Sequence, residues 1–222
     1  MEAAAEYTIE TLTTGLRNSL RDYLLQIQHL DKSVLNLDKN AMFLTFNYTD
    51  TLECIYNIEP IKITYLHNKA KSEKHLLSPD EHDYLTDDSD IIIGHAVKDT
   101  KTTMPEQLEI GVKTAIAYEE ALDTLQLYYK KSFKDTKQII SENNHFFRNI
   151  SHIERIIIIG HSLSYIDIPY FQEISKRTIN VKEWKITYHG KEELSKVKTQ
   201  ALKFLPHLNN VCFLNSKNKL IL

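Results

Sequence analysis

Apolar residues fall at helical spacing from Tyr7 to about Leu30, through Ile9, Leu12, Leu16, Leu20, Leu24, Leu25 and Ile27, which predicts an amphipathic helix. The pattern then breaks. Ala41 to Asn47 reads as a buried strand, and Thr51 opens a helix for which Thr49 and Asp50 are both good N-caps. Ile61 to His67 is a second strand, with Pro60 just before it. Residues 68–90 are polar and charged and read as a loop or insertion. Ile91-Ile-Ile-Gly94-His95 is a short apolar strand, and residues 104–150 form a helical section. Ile156 to Ile159 are four isoleucines in a row, which cannot present a polar face. They predict a strand buried on both sides at the centre of a parallel sheet. Ile168 to Thr178 is a helix, Val181 to Tyr188 an alternating strand, Lys191 to Leu205 an amphipathic helix and Val211 to Leu214 a last strand.

Strands alternating with helices point to an α/β fold, a three-layer, mostly parallel sheet with helices on both faces. At 222 residues, 42% of them hydrophobic, one domain spanning 1–222 is expected.

Charge and composition narrow the function. Lys+Arg 27 against Asp+Glu 30 gives a net charge of -3, and no basic run is interleaved with aromatics, so nucleic acid is not expected as a partner. Neither a signal peptide nor an apolar run of membrane-spanning length is present, so a cytoplasmic protein without membrane attachment is expected. Cys54 and Cys212 follow no metal or redox spacing and read as buried thiols. The histidines, His75 and His82 among them, match no zinc motif, so no metal is expected. With Gly 5, the chain has no glycine-rich phosphate loop.

Three strands end in polar residues: Asn47-Tyr-Thr49-Asp50, His67-Asn68 and Gly160-His161-Ser162-Leu-Ser164. In open α/β sheets ligands bind outside the carboxyl ends of the strands, so parallel neighbours would gather an amide, an imidazole, a carboxylate and two hydroxyls at one edge. The blander account is that these residues only cap helices. Gly160-His-Ser162-Leu-Ser164 also invites a serine-hydrolase reading with Ser162 as nucleophile and Glu192 or Glu193 with His207 as partners. Against it, Ser164 stands where that elbow has its second glycine.

Phe46-Asn-Tyr-Thr-Asp-Thr-Leu-Glu53, Tyr65-Leu-His67, Ile93-Gly-His95 and Gly160-His-Ser-Leu-Ser164 with Asp167-Ile-Pro-Tyr-Phe171, in that order, resemble the bacteriophage abortive-infection AbiH family. The matching blocks run from about residue 42 to 190. A more distant similarity is to sirtuin-like NAD-consuming domains. That resemblance implies a Rossmann-like sheet, NAD as cofactor and NAD glycohydrolase-like activity. It makes Asn47 the residue that orients water or ribose and His67 the general base. Thr49, Asp50, Gly160, His161, Ser162, Ser164 and Asp167 would then contact the cofactor. The residue after His67 is Asn68 where the related domains have glycine, and Asn tolerates positive φ better than other non-glycine residues. The family's first strand and Gly-Asn-Gly-Phe-Asp block are not found, so a truncated start, or one supplied by another chain, is expected. Expected partners are a nucleotide and either a second copy or a second polypeptide. The alternative from another class is a non-catalytic sensor fragment that acts through such a partner.

Overall fold

The computed structural model describes residues 2–27, 35–71, 91–95 and 112–216, with side chains from residue 6 at the start and from residue 119 in the helix that opens the last stretch. Most of the 68–90 loop with His75 and His82 and the start of the 104–150 helical section lie outside these residues. By contacts the chain divides into two compact units, Met1–Gln28 with Phe46–Asp50 and His67–Lys134, and His29–Thr45 with Thr51–Leu66 and Asp135–Leu222. The fold is mixed α/β, and every pair of strands among the described residues is parallel.

In the first unit, α1 (Glu2–Gln26) packs on α3 (Val112–Lys131). The expected amphipathic helix is present, but its apolar residues divide between two faces. Ile9 is buried, whereas Leu12, Leu16 and Tyr23 are exposed. Lys131 closes the pair at the end of α3, with Nζ 3.4 Å from both Glu6 Oε1 and Glu10 Oε2. Partial desolvation works against its ammonium group. The hydrogen bonds and charges of Glu10 and Glu6 outweigh that, and the pKa is raised above 10.5. Ile91 to His95 does not form the expected strand; it makes a single parallel bridge, His95 to Phe133.

The second unit carries two parallel sheets. In the smaller one, β1 (Phe43–Thr45) pairs with β2 (Ile63–Tyr65) in the register Leu44 to Thr64. Pro60 fits before β2 because the 3₁₀ turn Pro60–Lys62 needs no N–H from it. A single-turn helix, α2 (Thr51–Cys54), follows β1 in the chain. In the larger sheet β3 (Arg155–Ile158), β4 (Glu183–Tyr188) and β5 (Val211–Asn215) lie in that order.

This order corrects one expectation. The central strand is β4; the isoleucine strand β3 pairs with β4 alone among the described residues. Among the described residues β3 has a neighbour on one side only, and Ile159 just beyond it is 40% exposed. In β4, by contrast, Trp184, Ile186 and Thr187 are all buried.

The helices around this sheet form for local reasons. Asp135 Oδ1 accepts from the N–H groups of Lys137 and Gln138 and caps α4 (Thr136–Glu142). Next, α5 (Asn144–Asn149) buries Phe146 and Phe147 edge to face. Pro169 occupies the first turn of α6 (Ile168–Arg177), where a missing N–H costs nothing, and Lys176 and Arg177 suit its negative end. Ile168, Phe171 and Ile174 recur at a three-residue step and are buried, with Phe171 stacked on Phe204 at 5.2 Å. Burying each such side chain stabilises by about 1.5–3 kcal/mol. Finally, α7 (Lys191–Ala201) lays Val197 and Ala201 inward. Cys54 and Cys212 are exposed, not buried as expected. Cys54 ends a one-turn helix with no buried residue, and Cys212 is the outward position of the outer strand β5.

Candidate functional site

The residues expected to converge are found in both units. Asn47, Thr49, Asp50 and His67 belong to the first, and Gly160, His161, Ser162, Ser164 and Asp167 to the second.

In the first unit the chain leaving β1 crosses the chain leaving β2. Ala70 N–H donates to Tyr48 O at 2.8 Å, and Tyr48 Oη donates to Ile92 O at 2.9 Å. Ile92 N–H in turn donates to His67 O at 3.0 Å. The His67 ring sits edge-on to Phe46, with centroids 5.5 Å apart, and 6.0 Å from Tyr48, and only 5% of the residue is exposed. Asn47 beside it is exposed. Asn68 has φ +62, the left-handed conformation that its glycine-like position requires.

In the second unit, β3 leads into a corner with two left-handed residues, Gly160 at φ +64 and Leu163 at φ +52. Gly160 N–H donates to Thr187 Oγ1 on β4 at 2.8 Å, tying the corner to the adjacent strand. Leu163 N–H donates to His161 Nδ1 at 2.9 Å. His161 Nε2 lies 3.6 Å from Asp167 Oδ2, both side chains are largely buried, and the ring meets Phe171 edge-on at 5.0 Å. Ser162 is left exposed between these fixed points.

The corner forms one wall of a cleft of about 140 Å³ at the carboxyl ends of β3, β4 and β5. From β3 come Gly160, His161 and Ser162. From the end of β4 come Thr187 to His189, from the start of α7 Glu193, and from the end of β5 Ser216. His189 N–H donates to Glu193 Oε2, and His189 Nδ1 lies 3.3 Å from Ser216 Oγ. Ser216 N–H donates to Tyr188 O at 2.8 Å, so the last strand closes the far wall. Sequence reasoning missed His189 and Ser216, and it raised Glu193 only as a possible partner of a nucleophilic Ser162. The signal was there in His189-Gly190, a histidine and glycine directly after a predicted strand.

Chemically, the cleft offers hydroxyls, imidazoles and a carboxylate. No lysine or arginine lines it among the described residues, which suits a hydroxyl-rich, uncharged moiety better than a phosphate. No group of three histidine, cysteine, aspartate or glutamate side chains gathers as a metal site among the described residues. Nor is any helix among them long and apolar enough to cross a membrane.

Parallel strands alternating with helices define an α/β protein, with a polar cleft at the carboxyl ends of β3, β4 and β5. A protein-family model described as bacteriophage abortive infection AbiH matches residues 1–189. The chain belongs to the AbiH family, and with that membership goes a role in bacteriophage abortive infection. No curated protein and no solved structure matches it.

Proposed function

We propose that the chain serves phage defence by binding NAD or a related nucleotide and hydrolysing its glycosidic bond. The observation that carries the proposal is the cleft across three adjacent strand ends, lined by hydroxyls, imidazoles and one carboxylate. A carboxylate near a strand end is a familiar partner for the hydroxyls of a nucleotide's ribose. Glu193 offers such a group: Oε2 already accepts from His189 N–H, and among the described residues Oε1 accepts no hydrogen bond. A cleft of about 140 Å³ is smaller than the roughly 300–1,000 Å³ of sites that enclose a whole drug-sized ligand, so it takes one moiety, the ribose.

The sirtuin-like resemblance adds roles outside the cleft. Asn47 would orient water or ribose, and His67 would be the general base, a task suited to the side chain whose ordinary pKa lies nearest neutrality. Cleaving nicotinamide from NAD releases a neutral leaving group from a cationic one, so it needs a stabilised oxocarbenium and a placed water.

Incubation with NAD, followed by measurement of free nicotinamide, tests this. Release is expected to fall about a hundredfold or more in His67→Gln, the lower range for a lost acid–base group, and measurably in Asn47→Ala. Release unchanged by both substitutions removes those assignments. Calorimetry showing no NAD binding, together with a stable complex between the chain and a second polypeptide, would favour a non-catalytic sensor.

A further inference from the structure

The brace inside the Gly160–Asp167 corner has a chemistry of its own. A ring nitrogen that accepts a hydrogen bond carries no proton. Because Leu163 N–H donates to His161 Nδ1, the ring proton resides on Nε2, the atom that faces Asp167. The bond from a residue's side chain to the N–H two residues on is the one that Asn and Asp make in turns, with Nδ1 in the place of Oδ1. What it holds is costly for an ordinary residue. Leu163 has φ +52, and its side chain is fully buried, so glycine would relieve the backbone only by emptying that position.

We propose that His161 is a positioning residue: its neutral, Nε2-protonated ring clamps the Leu163 turn and thereby sets Gly160 and Ser162 in the cleft. The clamp is sensitive to acid. A proton on Nδ1 sets two N–H groups against each other and breaks the bond to Leu163, while the contact to Asp167 is kept or strengthened.

Several groups bear on that protonation. Asp167, from the turn before α6, attracts the proton, as does Glu193 from the first turn of α7, which lines the same cleft. His189, after β4, opposes it when itself charged. Phe171 of α6 presents only a ring edge. As pH falls through the titration of His161, the turn loosens, and Gly160 loses its hold on Thr187. This inference does not depend on which ligand the cleft takes.

Amide hydrogen exchange of the full chain, read by NMR between pH 8 and pH 5 and corrected for intrinsic rates, tests it. Leu163 protection in the wild type is expected to fall about three- to tenfold toward pH 5, the size of one net hydrogen bond, with Gly160 following. His161→Asn keeps an acceptor at the same place but has nothing to protonate, so its protection is expected to be as high and independent of pH. His161→Ala is expected to be low throughout. The ¹⁵N shifts of the His161 ring at pH 8 are expected to show the proton on Nε2. A flat wild-type profile, a His161→Asn profile that follows the wild type, or a proton on Nδ1 overturns the proposal. So does His161→Ala protected as well as His161→Asn; if the alanine variant does not fold, the wild-type and asparagine profiles decide alone.

Discussion

After Ile91–Ile93 the chain reaches Gly94-His95, and after Ile156–Ile159 it reaches Gly160-His161. At the first, the backbone itself is the neighbour. His95 N–H donates to Ser132 O at 3.0 Å, Lys134 N–H donates to His95 O at 2.9 Å, and a Cβ on Gly94 would lie 2.3 Å from Ser132 O. At the second, a Cβ on Gly160 would meet nothing within 4 Å, but φ is +64. One glycine gives room and the other gives a dihedral angle. The histidines differ in the same way. Ser132 Oγ spends its one hydrogen on Tyr128 O at 2.6 Å, so it accepts from His95 Nε2 at 2.8 Å, and the ring fastens the end of α3. His161 accepts from Leu163 N–H and turns Nε2 toward Asp167, and it shapes a turn that opens on a cleft. An identical dipeptide after an identical kind of run therefore says little about its task; the neighbour it meets decides.

That contrast can be broken most severely at Gly94. Gly94→Ala forces a methyl against a backbone carbonyl that is itself bonded, and a loss of about 2–3 kcal/mol is expected, the upper part of the overpacking range, measured by urea unfolding. Gly160→Ala is expected to cost less, about 1–2 kcal/mol for the left-handed backbone. The residue Asn separates the two causes. Gly160→Asn should recover most of that loss because Asn tolerates positive φ, whereas Gly94→Asn should be no better than alanine. Equal costs at the two glycines would erase the distinction.

The smallest effect concerns the other fastening of α3, Lys131. A lysine whose folded pKa is raised stabilises fully below its unfolded value of 10.5, and the contribution disappears as pH rises through the folded value. Wild type and Lys131→Met, which removes the charge, are expected to differ slightly at pH 8 and to converge in thermal melts above that range. A gap that widens on the alkaline side would contradict the pairing with Glu6 and Glu10.

How much of this was legible in the sequence varied with the range of the cause. Helices α6 and α7 were readable within a residue or a few, because Ile168, Phe171 and Ile174, or Val197 and Ala201, carry their periodicity locally. The positive φ of Asn68 followed from the resemblance, which puts a glycine there, together with the tolerance of Asn for that conformation. The place of β3 did not. Four isoleucines report apolarity, but which strand lies in the middle is set by partners that join from 28 residues or so further along, and β4 took that place. Half of the cleft was hidden for the same reason. Gly160-His-Ser-Leu-Ser164 announces itself as a motif, whereas Glu193 reaches the same edge by following β4, and Ser216 only through the β4–β5 pairing. Family membership also extends further than the motif blocks showed, since the match begins at residue 1 and takes in α1, whose helical spacing has no distinguishing residue.

The register of the larger sheet has a kinetic side. Arg155 pairs with Glu183, and Trp184 with Val211, so each parallel pairing closes a chain of about 28 residues, and the two closures follow one another along a single continuous segment. The entropy of closing a loop grows only as the logarithm of its length. Parallel sheets form slowly when their strands are recruited from distant parts of the chain; here each strand needs only the next one. The three strand ends that make the cleft thus come from one continuous segment, each separated from the next by a single helical crossover.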